Sequence, residues 1–184
     1  AYIPYFIQTL LWSQDIQGAK RRGVDKAGKY VHKDLYQLAL SQLGKANKAG
    51  VKILAGTDTL DSYVFAGSSL HDELEAMVSA GLSPLQALQA ATISAAQFSR
   101  MDDKFGSIAK GMAADLLLLR ENPLLDISNT KSIESVFFNG IYYDSTAISE
   151  LKEFTAEQAQ SLKTNLHFAR DILSSPLMRM QLAD

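Results

Sequence analysis

Val51-Lys52-Ile53-Leu54-Ala55-Gly56-Thr57-Asp58 decides how the rest of the chain is read. Four of its first five residues are apolar, the pattern of a strand buried on both faces. The apolar run stops abruptly, and Gly56-Thr57-Asp58 follows. A carboxylate at the C-terminal end of a buried parallel strand lies where barrel enzymes place their chemistry. Asp58 is therefore the first candidate for a catalytic role.

Upstream, Asp34 to Ala49 is predicted to be helical. Asp34 serves as N-cap, Leu35, Leu38, Leu43 and Ala46 approximate one face, and Gly50 stands where a C′ glycine belongs. Ile3 to Leu11 reads as an earlier strand with Pro4 near its start. Trp12 to Lys33, with three glycines and clustered charge, reads as a long loop. Strand, loop, helix, strand is a βαβ unit, and it implies parallel strands.

Downstream, Thr59 to Gly67 is a loop. A helix from Leu70 to Ala80 follows, with Ser69 as cap, Asp72 in a capping-box-like position and Gly81 at its end. Ser83-Pro84-Leu85-Gln86 is a stronger start signal, with a Ser cap, Pro at the first helical position and Gln at the third. The alanine-rich helix it opens is predicted to run to about Arg100. Residues from about 105 to 144 read as a small antiparallel β unit. It comprises a short strand over 106–111, a buried strand from Ala114 to Leu119, and a hairpin of Ile133–Phe138 and Ile141–Tyr143 about Asn139-Gly140. Thr155 begins a final amphipathic helix that Pro176 ends.

Composition narrows the classes. The chain has 184 residues, 47% hydrophobic and 21% charged, enough for a packed core. The net charge is -2, and the longest basic run is Lys20-Arg21-Arg22, which argues against a nucleic-acid partner. No apolar run approaches the length of a membrane span. Cysteine is absent, so any metal must be held by His and carboxylates. The chain starts Ala1-Tyr2-Ile3-Pro4 with no basic n-region. No signal peptide is visible, the compartment is left open between cytoplasm and periplasm, and the start looks like the middle of a longer polypeptide.

Five motifs in order carry a resemblance. They are GTD at 56–58, SSLHDELEAMVSAGLSPLQALQAATISAAQ at 68–97, GSIAKGMAADLLLL at 106–119, ENPLLDI at 121–127 and VFFNGIYYD at 136–144. Each is modest alone. At this order and spacing they resemble the C-terminal part of the metal-dependent amidohydrolase superfamily, closest to its imidazolonepropionase-related branch with Xaa-Pro dipeptidase-like enzymes. The resemblance covers roughly residues 3–144.

It implies an α/β fold, the C-terminal part of a (β/α)8 TIM barrel, with part of a small β-sandwich domain and a C-terminal helix. The expected divisions are 1–104 for the barrel portion, 105–148 for the sandwich segment and 149–184 for a helical extension. It also implies a divalent metal, zinc, held by a His-x-His pair, a mid-barrel Lys or Glu, two later histidines and an Asp after the eighth strand. Asp58 falls on that last position, as metal ligand and as acceptor of the proton from the hydrolytic water. The chain has only His32, His71 and His167 and no His-x-His. The resemblance therefore implies the last part of a barrel, beginning near its seventh strand and inactive in isolation.

Of the other candidates, Thr57 is expected to orient Asp58, and His71, at a helix N-terminus, to line the substrate pocket or to cap and pack. His32 is expected to be solvated and His167 to lie along a helix face. Asp115 is expected to tether backbone, and Tyr63 and Phe65 to contact substrate or to pack. The expected function is hydrolysis of carbon–nitrogen bonds in a small amide or dipeptide substrate. A rival reading is a non-catalytic assembly module whose open strand edges associate as a homo-oligomer or with the rest of a barrel. A third reading, a carbohydrate- or nucleotide-binding α/β protein without hydrolysis, lacks a phosphate loop, since Gly-Ser-Ile-Ala-Lys-Gly does not have the spacing.

Overall fold

The computed structural model describes residues 3–5, 7–13, 17–18, 32–59, 61 and 63–175. Most of the loop expected over Trp12 to Lys33, the side chain of His32 and the helix-ending Pro176 lie outside the described residues. Two compact units divide the chain, Ala1–Arg22 with Ala147–Asp184, and Gly23–Thr146.

In the larger unit, α1 (His32–Lys48) is followed by the segment at 51–58 and by α2 (Ser68–Ser79), α3 (Pro84–Ala90) and α4 (Ile93–Phe98). Helix ends set the chain's direction. Gly50, at φ 78°, donates to Asn47 O at 3.0 Å while Val51 N–H reaches Ala46 O at 3.0 Å. The same double closure ends α2. There Gly81, at φ 105°, donates to Val78 O at 2.9 Å, and Leu82 donates to Met77 O at 3.1 Å. Glycine adopts this left-handed turn without the Cβ penalty, and the turn returns Leu82 to the core.

That core joins Leu74 and Met77 of α2, Leu82, Ala87 and Ala90 around α3, and Ile127 of a 3-10 helix (Ile127–Lys131). Ile53 and Ala55 pack on it. Spaced by two, they present one side of their segment to it, while Val51 and Lys52 are exposed. The expected burial of this segment on both faces is thus corrected. So is its strand assignment, because no ladder joins residues 51–55 to another segment among the described residues. A strand exists only through a neighbour's hydrogen bonds, and here Ala55 N–H instead meets Ala90 O at 3.2 Å.

Several helix boundaries also shift. Ser83 forms the expected capping box, its Oγ accepting from Gln86 N at 3.2 Å and its N–H donating to Gln86 Oε1 at 2.8 Å. The helix it opens does not reach Arg100. Thr92 Oγ1 donates to Leu88 O at 2.7 Å and its backbone leaves the helical region, so α3 and α4 are separate. α2 begins after Gly67 with no side-chain cap. Ser69 Oγ accepts from Phe65 N at 2.8 Å instead, and Asp34 lies in the first turn of α1 rather than before it.

The sheet runs β1 (Leu116–Leu119), β2 (Ile133–Phe138), β3 (Ile141–Tyr143), antiparallel throughout. Asn139 and Gly140, at φ 50° and 77°, make the tight hairpin turn whose twist matches its strands. Leu117 pairs with Val136 and Phe138 with Ile141, which places all four on one face. The strand expected over 106–111 is a series of turns, with positive φ at Gly106 and Gly111. The strand expected from Ala114 begins at Leu116, and Leu117 and Leu118 are more than half exposed rather than buried.

In the smaller unit, the expected strand Ile3–Leu11 is a π-helical turn, Ile7–Trp12, with Trp12 buried. Its bonds are local, Ile7 N–H to Pro4 O at 3.0 Å and Gln8 Nε2 to Ile3 O at 2.8 Å. The single helix expected from Thr155 starts earlier and is two helices, α5 (Ser145–Gln160) and α6 (Leu162–Ser174). Asn165 Nδ2 donates to Ala159 O and Ser161 O at the break.

Candidate functional site

Asp58 stands on an exposed turn at φ 51°, with Asp61 N–H donating to its backbone oxygen at 3.1 Å. Left-handed backbone is uncommon outside glycine, and Asp is among the residues that adopt it most readily. Among the described residues its carboxylate accepts no side-chain hydrogen bond. Among these residues both oxygens are open to a cation or a water proton. Among the described residues the Thr57 hydroxyl meets Thr59 rather than that carboxylate. Thr57 Oγ1 pairs with Thr59 Oγ1 at 2.7 Å, because the turn at Asp58 brings the flanking threonines together.

Just before the turn, the chain is bonded by a residue that the sequence reading passed over. Gly56 N–H donates to Glu73 Oε1 at 2.7 Å. Glu73 sits on α2, immediately before the buried Leu74 and four residues before the buried Met77. A charge at that place on an apolar stripe is the signal that could have found it. Its second oxygen, Oε2, is buried without a hydrogen-bond partner among the described residues. A small cavity of about 270 Å³ lies here, lined by Gly56, Thr57, Val64, Ser69 and Glu73.

His71 is held elsewhere. Its Nδ1 lies 2.9 Å from Thr130 Oγ1, on the 3-10 helix. Thr130 Oγ1 spends its only hydrogen on Ile127 O at 2.9 Å, so His71 Nδ1 is the donor. Burial lowers the His71 pKa below its ordinary value, and the nearby Lys131 ammonium lowers it further. Lys131 bridges Asp72 at 3.0 Å and Glu75 at 2.7 Å, and these two carboxylates raise its own pKa. The cluster fastens α2 to the 3-10 helix. This geometry fits a packing role for His71, against the 3-10 helix, better than capping or pocket lining.

Asp115 tethers backbone, its Oδ1 accepting from Asn139 N at 2.9 Å. It lies at the rim of a larger cavity of about 540 Å³, lined mainly by apolar residues such as Ala91, Ala96, Phe105 and Leu116, and separate from Asp58. His167 is exposed on α6, Tyr63 is exposed, and Phe65 is half-buried. Among the described residues no three His, Asp or Glu side chains converge as a metal site. Among them, too, no helix is long and apolar enough to cross a membrane.

Comparison with known proteins places this geometry in context. The model of the amidohydrolase family matches residues 39–142. An adenine deaminase of Clostridium botulinum (strain Loch Maree / Type A3) is 30% identical over 100 residues, 54% of this chain and 16% of that protein. Adenine deaminase 4 of Rhizobium meliloti (strain 1021) is 36% identical over 83 residues, 45% of this chain and 13% of that protein. Among solved structures, a Xaa-Pro dipeptidase with methionine bound in its active site is 35% identical with a TM-score of 0.53, covering 58% of this chain and 25% of that one. The chain spans less than a fifth of these curated relatives and about a quarter of the dipeptidase.

Proposed function

The chain belongs to the amidohydrolase family, and on that premise we propose that it forms the carboxylate-bearing part of a metal-dependent hydrolase of carbon–nitrogen bonds, with Asp58 as metal ligand and general base. Its mixed helix and sheet fit a fragment of a TIM-barrel-type α/β fold. The relatives support the bond class, since a deaminase and a dipeptidase both break a carbon–nitrogen bond. The substrate class is a small amide or dipeptide. Under this reading, residues 1–104 belong to the barrel, 105–148 to a composite β-sandwich, and 149–184 to a helical extension.

The observation that carries the reading is the Asp58 turn, an exposed carboxylate with no side-chain partner among the described residues, on left-handed backbone beside a segment anchored at two successive amides. Such a group can take the proton of a water attacking a carbonyl carbon, provided that water lies within hydrogen-bond reach. Family members are generally metal-dependent, but the side chains described here do not make an ion site by themselves. Catalytic zinc takes three protein ligands and structural zinc four. Asp58 would offer one, and the others would come from outside these residues.

The chain alone is therefore expected to hold negligible zinc by elemental analysis and to show no turnover of dipeptides. Stoichiometric zinc, with activity abolished by Asp58→Asn, would overturn the claim of an incomplete site. In a longer protein that carries these residues on a complete barrel, Asp58→Asn should lower kcat by about 10²-fold or more. Undiminished turnover there removes Asp58 from the chemistry.

A second reading, an assembly module without catalysis, is favoured by one observation. Leu117, Phe138 and Ile141 share a face of the sheet and are 58%, 58% and 53% exposed. Apolar surface of this kind marks an association face.

A further inference from the structure

We propose that Glu73 is the positioning residue of the Asp58 turn, an assignment that rests on the role of Asp58 given above. Among the described residues, residues 51–58 have no ladder and are held by few bonds. Val51 is tied to the end of α1 and Ala55 to Ala90 O of α3. Beyond Ala55, Gly56 N–H to Glu73 Oε1 at 2.7 Å is the bond nearest to Asp58 that reaches outside its own loop. The distance is at the short end for an amide donor, as for an acceptor that carries charge. Glu73 is rooted on a helix whose Leu74 and Met77 are buried, so its carboxylate is fixed relative to the core. Gly56 is two residues from Asp58, and the side chain of Asp58 has no partner of its own among the described residues. The direction in which the Asp58 carboxylate points is thus set through Glu73, which itself touches no reacting atom.

Amide hydrogen exchange, followed by NMR on the full chain, tests this without metal or turnover. In Glu73→Ala, and in Glu73→Asp whose carboxylate is one methylene short of Gly56, the Gly56 amide should exchange about tenfold faster or more. Thr57 and Asp58 resonances should broaden or shift, while Leu74, Met77 and Ala87 amides keep their protection. Glu73→Gln retains an acceptor oxygen and should restore most of the protection at Gly56. Unchanged exchange at Gly56 in both Glu73→Ala and Glu73→Asp overturns the proposal. So does loss of protection spread evenly over α2 and α3, which is the mark of a merely structural role. Failure of the Asp58 reading is a separate result, since it would appear as unimpaired turnover of Asp58→Asn in a longer protein that carries a complete barrel, with the Gly56 anchor intact.

Discussion

At His71 the folded state binds a proton less readily than the unfolded chain, because the ring is partly buried and Lys131 is near. Its folded pKa lies below 6.5, its ordinary value. The stability it contributes is complete above that value and is lost as pH falls through it towards the folded pKa, where the unfolded state takes up the proton first. Urea midpoints should therefore fall as pH drops from neutral through 6.5 and below. His71→Asn keeps an N–H near Thr130 but cannot titrate, so it should flatten that slope. An equally steep slope in the variant would remove His71 as its source. Ser135 offers a second test. It is fully buried in β2 and its Oγ has no hydrogen-bond partner among the described residues. An unpartnered buried hydroxyl costs about 1–3 kcal/mol, so Ser135→Ala should raise stability by about 1 kcal/mol in urea unfolding. A loss of similar size would mean that the hydroxyl has a partner.

At the scale of elements, Gly44 decides how closely α1 approaches α2. Inside a helix, glycine is about 1 kcal/mol worse than alanine, so propensity favours Gly44→Ala. The Cβ it adds would collide with the carbonyl oxygen of Ala80 at the end of α2. Overpacking costs about 1–3 kcal/mol and backbone cannot swing aside like a side chain. Gly44→Ala should therefore lower the thermal midpoint, by about 1–2 kcal/mol in equivalent stability, and an increase would show that the two helices can slide apart. The same element scale explains the misread helix after Ser83. One continuous helix was expected to about Arg100, but Thr92 bonds back to Leu88 O and its backbone leaves the helical region.

For the whole molecule, the sheet face bearing Leu117, Phe138 and Ile141 is the strongest reason to expect association. Light scattering on the purified chain should give a mass of at least two chains. The double variant Leu117→Lys, Phe138→Glu should reduce it to one. A stable wild-type monomer would count against the assembly reading and leave the hydrolase reading untouched.

Much was legible from short stretches of chain. The Asn139-Gly140 hairpin, the glycine closures at Gly50 and Gly81, and the Ser83-Pro84 start all appear where they were expected. Each depends on dihedral preferences and bonds reaching only a few residues, which the local sequence determines by itself. The carboxylate that ends the apolar run at 51–55 was equally plain, and so was the family. Tertiary structure alone decided the pairing of distant groups. Gly56 finds Glu73 across 17 positions, and His71 finds Thr130 across 59. Residues 51–55 have no ladder among the described residues for the same physical reason, since a strand is a property of its neighbours and no neighbour is written in its own residues.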